Sequence, residues 1–196
     1  MGAGFTDAEK EAIGKQLKAS AWAYAKAPGM RKATVEELCQ SAGISKGAFY
    51  AFYGSKELLF FEVMEECHSR MYGAAKAAAD RLKDLPPARR LAEAVLTACE
   101  ALEESGLVDF FENDLAYLLR KIPPDVLRAH YSSDDAHILE LLHSLGVMDP
   151  GLQSLSLAVV RALLLTLSHQ KQIGASYPQA LRVLTEGACG KLFETE

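Results

Sequence analysis

Paired cysteines are missing from this sequence. Cys39, Cys67, Cys99 and Cys189 stand far apart and never as C-x-x-C, so they offer no disulfide framework and read as reduced, buried packing residues. The five histidines, His68, His130, His137, His143 and His169, have no i, i+4 pairing with one another and no companion carboxylate motif, so neither a metal site nor a cofactor is expected. Neither H-E-x-x-H nor a P-loop occurs, and without a catalytic constellation the chain is not expected to be an enzyme. There is no signal-like start, and no run of about 18 apolar residues stands out as a membrane span. The expectation is a cytoplasmic protein with no membrane partner.

What the chain does have is helical periodicity along almost its whole length. With 196 residues, 49% of them hydrophobic, it suits two unequal globular domains. The formal net charge of −5 argues at first against a nucleic-acid binder, but the acidity is not evenly spread. Residues 1–60 carry eight Lys/Arg against six Asp/Glu, whereas residues 61–196 carry thirteen against twenty. A locally basic module can grip phosphates on an acidic body, because exposed charges beyond about 10 Å are largely screened at ordinary salt.

The basic part holds the most informative stretch, Thr34 to Leu59, TVEELCQSAGISKGAFYAFYGSKELL. Thr34 with Glu37 is a capping-box spacing that starts a helix, and Val35, Leu38 and Cys39 share one of its faces. Gly43 stops that helix, Ile44 plugs the turn, and Ser45 caps a second helix over Lys46 to about Phe52. Two helices joined by a short turn with a central glycine make a helix-turn-helix. Phe49 and Tyr53 face inward, which leaves Lys46, Gly47, Ala48, Tyr50 and Ala51 on the outer side. Small residues there allow close approach of the backbone, and Lys46 and Tyr50 offer a cation and a phenol to phosphates, as the floor of a major groove requires. Ser55-Lys56-Glu57 caps a third helix, with Lys56 at a helix start that itself attracts phosphate.

The run T-V-x-x-L-x-x-x-A-G-I-S-K-G-x-F-Y-x-x-Y-x-S-K-E-x-L resembles the DNA-binding signature of the TetR family of bacterial repressors, over roughly the first 60 residues. The resemblance implies DNA contacts at Thr34, Lys46, Tyr50 and Lys56 and a small core of Val35, Leu38, Ile44, Phe49 and Tyr53. Ser45, Gly47 and Ala48 complete the expected DNA-binding surface. Cys39 stands where the family usually has alanine, a packing change. Ala51 stands where histidine is common, which removes a DNA contact and leaves the operator sequence open.

Flanking signals extend the helical pattern. Thr6 and Glu9 form another capping box, and Ile13, Leu17, Ala21, Tyr24 and Ala25 recur at helical spacing until Pro28-Gly29, with Trp22 expected to fill space between helices. The third motif helix is expected to continue to about Lys83, with Phe60, Met64, Cys67, Met71, Ala74 and Ala78 on its apolar side, until Pro86-Pro87 breaks it. Leu91, Val95, Ala98 and Leu102 mark the next helix, and Leu107 to Leu119 a short one ended by Ile122-Pro123-Pro124. A helix or pair of helices fills Asp125 to Leu145, and Asp149-Pro150 starts another that runs to about Ile173. Between Leu155 and Leu167 that helix is apolar on nearly every side, and the last helix, from Pro178, places Leu181, Leu184, Ala188 and Leu192 on one stripe with Gly187 and Gly190 beside it.

The expected fold is all-α: a three-helix helix-turn-helix DNA-binding domain over residues 1–55 and a larger helical ligand-binding and dimerisation domain over 56–196. The terminal helix pair is read as a dimer seam through Leu155, Val159, Leu163, Leu181, Leu184 and Ala188, since so small a chain hardly encloses both helices by itself. Met64, Cys67, His68, Met71, Phe110, Phe111, Tyr117, Tyr131 and His137 are either irregular core filling or the walls and polar groups of an effector site. The expected function is a ligand-responsive dimeric regulator, a repressor released from a palindromic operator on double-stranded DNA by an apolar or aromatic small molecule. A DNA-binding regulator without an effector and an all-helical enzyme or carrier are the alternatives.

Overall fold

The structure, a computed structural model, describes residues 5–194, and no strand occurs among them. The chain divides into two compact units: residues 1–66 with 109–123, and residues 67–108 with 124–196. That division falls inside a helix, and it assigns residues 109–123 to the N-terminal unit.

In the first unit, α1 (Asp7–Lys26) begins at a complete Thr6–Glu9 capping box and buries Ile13, Leu17, Ala21 and Ala25. Tyr24 and Trp22 are only half-buried, so Trp22 is less of an interior residue than expected. A single 3₁₀ turn, Met30–Lys32, leads to α2 (Val35–Ala42), whose Thr34–Glu37 capping box is also complete and which packs against α1. Gly43 takes the left-handed conformation at φ 65°, and Ser45 then caps α3 (Lys46–Phe52). Leu38 and Phe49 are fully enclosed, while Val35, Ile44 and Tyr53 are half-buried, so the small core is tighter at its centre than at its edge. The long helix α4 (Lys56–Arg81) follows, its first turns in this unit and the rest in the second.

The expected single helix over 107–119 is two: α6 (Val108–Asn113) and α7 (Leu115–Leu119), on either side of Asp114. The reason is tertiary. Asp114, 4% exposed, accepts from the Met30 amide at 2.9 Å and pairs with Arg31 Nε at 2.8 Å, which ties the junction of the two helices to the loop before α2.

In the second unit, α5 (Pro87–Ser105) carries the largest share of the buried apolar residues, among them Leu91, Val95, Cys99 and Leu102, and ends at Gly106 with φ 73°. The expected helix or pair over 125–145 is one helix, α8 (Pro124–Ser144). Asp149 caps α9 (Pro150–Leu165) by accepting from the Leu152 amide at 2.8 Å. The expected continuation to Ile173 is interrupted by a 3₁₀ segment, Thr166–His169, before the short α10 (Gln170–Ile173). Thr166 and Ser168 hydroxyls donate to the carbonyls of Leu163 and Leu165 at 2.7 and 2.8 Å, the local competition that tightens a helix at such residues.

The last helix, α11 (Tyr177–Leu192), packs on α5 and α9. Its buried stripe is Tyr177, Leu181, Thr185, Cys189 and Leu192, not the expected set containing Leu184 and Ala188. Leu184 is 54% exposed, because the i, i+4 series from Tyr177 faces α5 and α9 and carries Leu184 outward. A Cβ at Gly187 or Gly190 would meet nothing within 4 Å, so neither glycine serves close packing inside this chain.

Pro150–Ile173 is long and apolar enough to cross a membrane by length and composition, with a mean hydropathy of 1.5, contrary to the expectation that no such run exists. Only 22% of its most apolar window is buried within the chain, so the expectation of a helix buried all round is not met by its own subunit.

Candidate functional site

The outward face of α3 is built by capping. Ser45 Oγ accepts from the Ala48 amide at 3.2 Å, which orients the first turn, and Phe49 holds the helix down from below. Tyr50 is left 55% exposed, Gly47 and Ala51 are exposed, and Ala48 is half-buried. A Cβ on Gly47 would meet only Ser45 Oγ, at 3.9 Å, so nothing inside the chain demands glycine there.

The cations and caps nominated on this face are engaged in different ways. Thr34 is occupied as the α2 cap, accepting from the Glu37 amide at 3.2 Å. Lys46 pairs with Glu36 on α2; chiefly through hydrogen bonding between the two, the lysine is raised and the carboxylate lowered from their ordinary pKa values. Lys56 turns toward the chain, donating from Nζ to the Ala33 carbonyl at 2.7 Å and more distantly to that of Met30 at 3.5 Å. Its ammonium therefore ties the start of α4 to the loop before α2. Tyr53 donates its hydroxyl to Glu62 at 2.5 Å, and burial, seconded by that carboxylate, raises its pKa well above the usual phenol range.

Gly43-Ile44-Ser45-Lys46-Gly47 also spells G-x-S-x-G, the pattern of a hydrolase nucleophile turn. That mechanism needs a strand before the serine, and here a helix precedes it while Ser45 Oγ is spent on the cap.

The nine nominated effector residues are divided between the two units. Met64, Phe110, Phe111 and Tyr117 belong to the first unit, where Phe110 is enclosed and stacks on Phe60 at 6.5 Å between centroids. Cys67, His68, Met71, Tyr131 and His137 belong to the second, and Tyr131 is 46% exposed. Cys67 and Met71 are buried, with Cys67 Sγ 3.6 Å from Ser105 Oγ. The second unit contains a cavity of about 370 Å³, and of the nine only His137 lines it. Its apolar wall includes Ala75, Val95, Ala98, Ile138, Leu141, Val160 and Leu164, and its polar side Tyr72, Lys76, His137 and Glu140, with Lys76 and Glu140 paired. The Tyr72 and His137 rings stack at 4.8 Å.

A group that the sequence pattern did not expose lies on α4 and α8 in the same unit. Asp134 Oδ2 stands 3.4 Å from His68 Nδ1 and 3.3 Å from His130 Nε2, and the two imidazoles stack at 5.2 Å. The available signal was His130 with Asp134 at i, i+4 on one helix face; the third member comes from the distant His68, which no local spacing reveals. Burial lowers the His130 pKa, opposed by Asp134. Burial alone would raise Asp134, but His68, His130 and Tyr72 hold it below the ordinary carboxylate value.

Of the nominated seam residues, Leu163 and Leu181 are buried inside this subunit, Val159 and Ala188 are half-buried, and Leu155 and Leu184 are exposed. Leu165 and Val183, which were not nominated, are exposed at 66% and 70%.

An exposed recognition helix on a capped helix-turn-helix defines the class: a DNA-binding transcriptional regulator. Residues 18–63 match the family described as bacterial regulatory proteins, tetR family, which shows a TetR-type helix-turn-helix in the N-terminal part of the chain. Among solved structures it is similar to the fatty acid degradation regulator FadR from Bacillus halodurans, at 16% identity and a TM-score of 0.60, covering 93% of this chain and 97% of that one. It is also similar to the TetR-family transcriptional regulator PfmR from Thermus thermophilus, at 19% identity and a TM-score of 0.49, covering 90% and 97%. No curated protein matches the chain by sequence.

Proposed function

We propose that this TetR-family regulator is a dimeric repressor that releases a two-fold operator when an apolar or aromatic small molecule binds its second unit. The observation that carries the DNA-binding half is the bare outer face of α3, where Gly47 has no packing reason to be glycine and Tyr50, edge-on to Phe49, is still 55% exposed. Ser45, Lys46, Gly47, Ala48 and Tyr50 form the reading surface, Thr34 presents it, and Lys56 supports it from the loop side. A two-fold dimer imposes its symmetry on the half-sites it reads.

Support for the dimer comes from the exposed apolar residues of α9 and α11: Leu155, Leu165, Val183 and Leu184 are each more than half exposed. Apolar side chains left exposed on two helices that pack together are a mark of a partner-facing surface. A protein partner suits it better than lipid, because Arg161 lies near the middle of the apolar stretch and a charge at the centre of a bilayer is costly.

Support for the effector is the 370 Å³ cavity of the second unit, within the range of small-ligand sites, apolar on most of its wall and polar at Tyr72 and His137. The effector site is thereby moved from the nine nominated residues to this cavity, keeping His137. A ligand there lowers operator affinity only by preferring one conformation of the regulator over another.

The test is selection of bound fragments from random DNA by the purified protein, followed by a release screen. The compounds include fatty acids, because the similar Bacillus halodurans protein is a fatty acid degradation regulator. Enrichment of a palindromic site and its release by an apolar compound are expected. A site that is bound but released by no compound would favour the regulator without an effector, and no enriched site would overturn the DNA-binding reading.

A further inference from the structure

We propose that His68, His130 and Asp134 form a binding site for one divalent transition-metal ion of the zinc type, joining α4 to α8 within the second unit. The three ligand atoms, one from each side chain, all lie within 4.8 Å of one another. Zinc takes imidazole nitrogen and carboxylate oxygen at about 2.0–2.2 Å in a tetrahedral shell, and the edge of such a tetrahedron is about 3.3–3.5 Å. Two of the three separations, those to Asp134 Oδ2 at 3.4 Å from His68 and 3.3 Å from His130, match that edge length. They are long for charge-assisted hydrogen bonds to a carboxylate, which run at about 2.7–2.9 Å.

Burial and the surrounding groups fit the same occupant. The His130 side chain is 5% exposed and those of Asp134 and His68 are 16% and 20%, so the site is desolvated yet reachable. Tyr72 hydrogen-bonds Asp134 and orients it, the role that second-layer partners of metal ligands commonly fill. Two nitrogens and one oxygen leave a fourth position for water. That donor set suits zinc, cobalt and nickel; magnesium and calcium prefer oxygen alone.

The experiment uses the tag-free full chain, stripped with chelator and titrated with cobalt(II) as a spectroscopic probe and zinc(II) as its competitor. One equivalent of cobalt per chain is expected, with the intense visible bands of a tetrahedral nitrogen–oxygen site that zinc abolishes, and zinc should raise the thermal midpoint. Asp134→Asn and His68→Gln should each weaken cobalt binding by about tenfold or more and remove the bands, and Tyr72→Phe should weaken it by about tenfold. Thermal melts of the metal-free variants identify those that fold. His68→Gln, on a partly exposed side chain, serves if Asp134→Asn does not. Absence of the bands in the parent chain, or equal cobalt binding by a folded variant, overturns the proposal.

Discussion

The Met30 amide donates to Asp114 Oδ2 at 2.9 Å, between residues 84 positions apart. Gly29 makes room for this contact: its φ is 107°, and a Cβ on it would approach Asp114 Oδ2 at 3.3 Å. Because the amide is buried, its acceptor matters more than the partly exposed Arg31 pair. Asp114→Ala should destabilise the N-terminal unit by about 1–3 kcal/mol, the usual cost of stranding a buried donor. Asp114→Asn, which keeps an acceptor, should cost less. Urea unfolding with amide exchange at Met30 checks both, and equal stability of the alanine variant would show that the clasp is incidental.

The face of α3 and the Lys56 ammonium should separate in mutagenesis. Tyr50→Ala and Lys46→Ala should leave the melting temperature nearly unchanged and weaken operator binding, with Lys46→Ala lowering the salt slope by about one if its phosphate contact is lost. Glu36→Gln should tighten binding at low salt, since it frees Lys46 from an exposed pair whose own worth is about 0–1 kcal/mol. Lys56→Ala should lower both stability and affinity, because it also removes donors from the Ala33 and Met30 carbonyls. Fluorescence anisotropy over a salt series, beside thermal melts, distinguishes the two patterns.

Two leucines three residues apart on α11 should fail differently. Leu184→Asp places a charge on the exposed side and is expected to yield folded monomers in sedimentation if α9 and α11 form the dimer seam. Leu181→Asp places it against α5 and α9 and should unfold the subunit itself. A parent chain that sediments as a monomer at micromolar concentration would count against the seam.

Gly73 lies on α4 at the cavity wall, and a Cβ there would meet nothing within 4 Å. Gly73→Leu should therefore fill the cavity without a clash at its first carbon and gain somewhat less helix propensity than the about 0.8–1.0 kcal/mol that separates glycine from alanine. The expected result is an equally or more stable protein that still binds operator but no longer responds to effector. Thermal melts and the release screen measure the two effects, and unchanged release would place the effector elsewhere.

Much of the reading head was legible because its signals are local. Both capping boxes, the Gly43 stop and the Ser45 cap connect residues two to four apart, and helical spacing put Leu38 and Phe49 inside without knowledge of any distant neighbour. The interior of the second unit was less legible. Apolar and aromatic residues at helical spacing look alike whether they fill a core, line a cavity or face a partner, so Met64, Phe110 and His137 could not be sorted by pattern. The buried stripe of α11 differed from expectation for a related reason: Leu181 and Leu184 are both leucines on one helix, and only the positions of α5 and α9 distinguish inside from outside.

The sequence by itself determined the helices, their caps and stops, and the helix-turn-helix with its outward lysine and tyrosine, since each follows from interactions within about one helical turn. Only the tertiary structure decided that Asp114 splits a helix to hold Met30 and Arg31, that Lys56 turns inward, and that the cavity lies beside Tyr72. It alone also brought His68 to His130 and Asp134. These depend on groups far apart in the chain, whose meeting is set by the packing of whole helices and leaves no mark in the spacing of neighbouring residues.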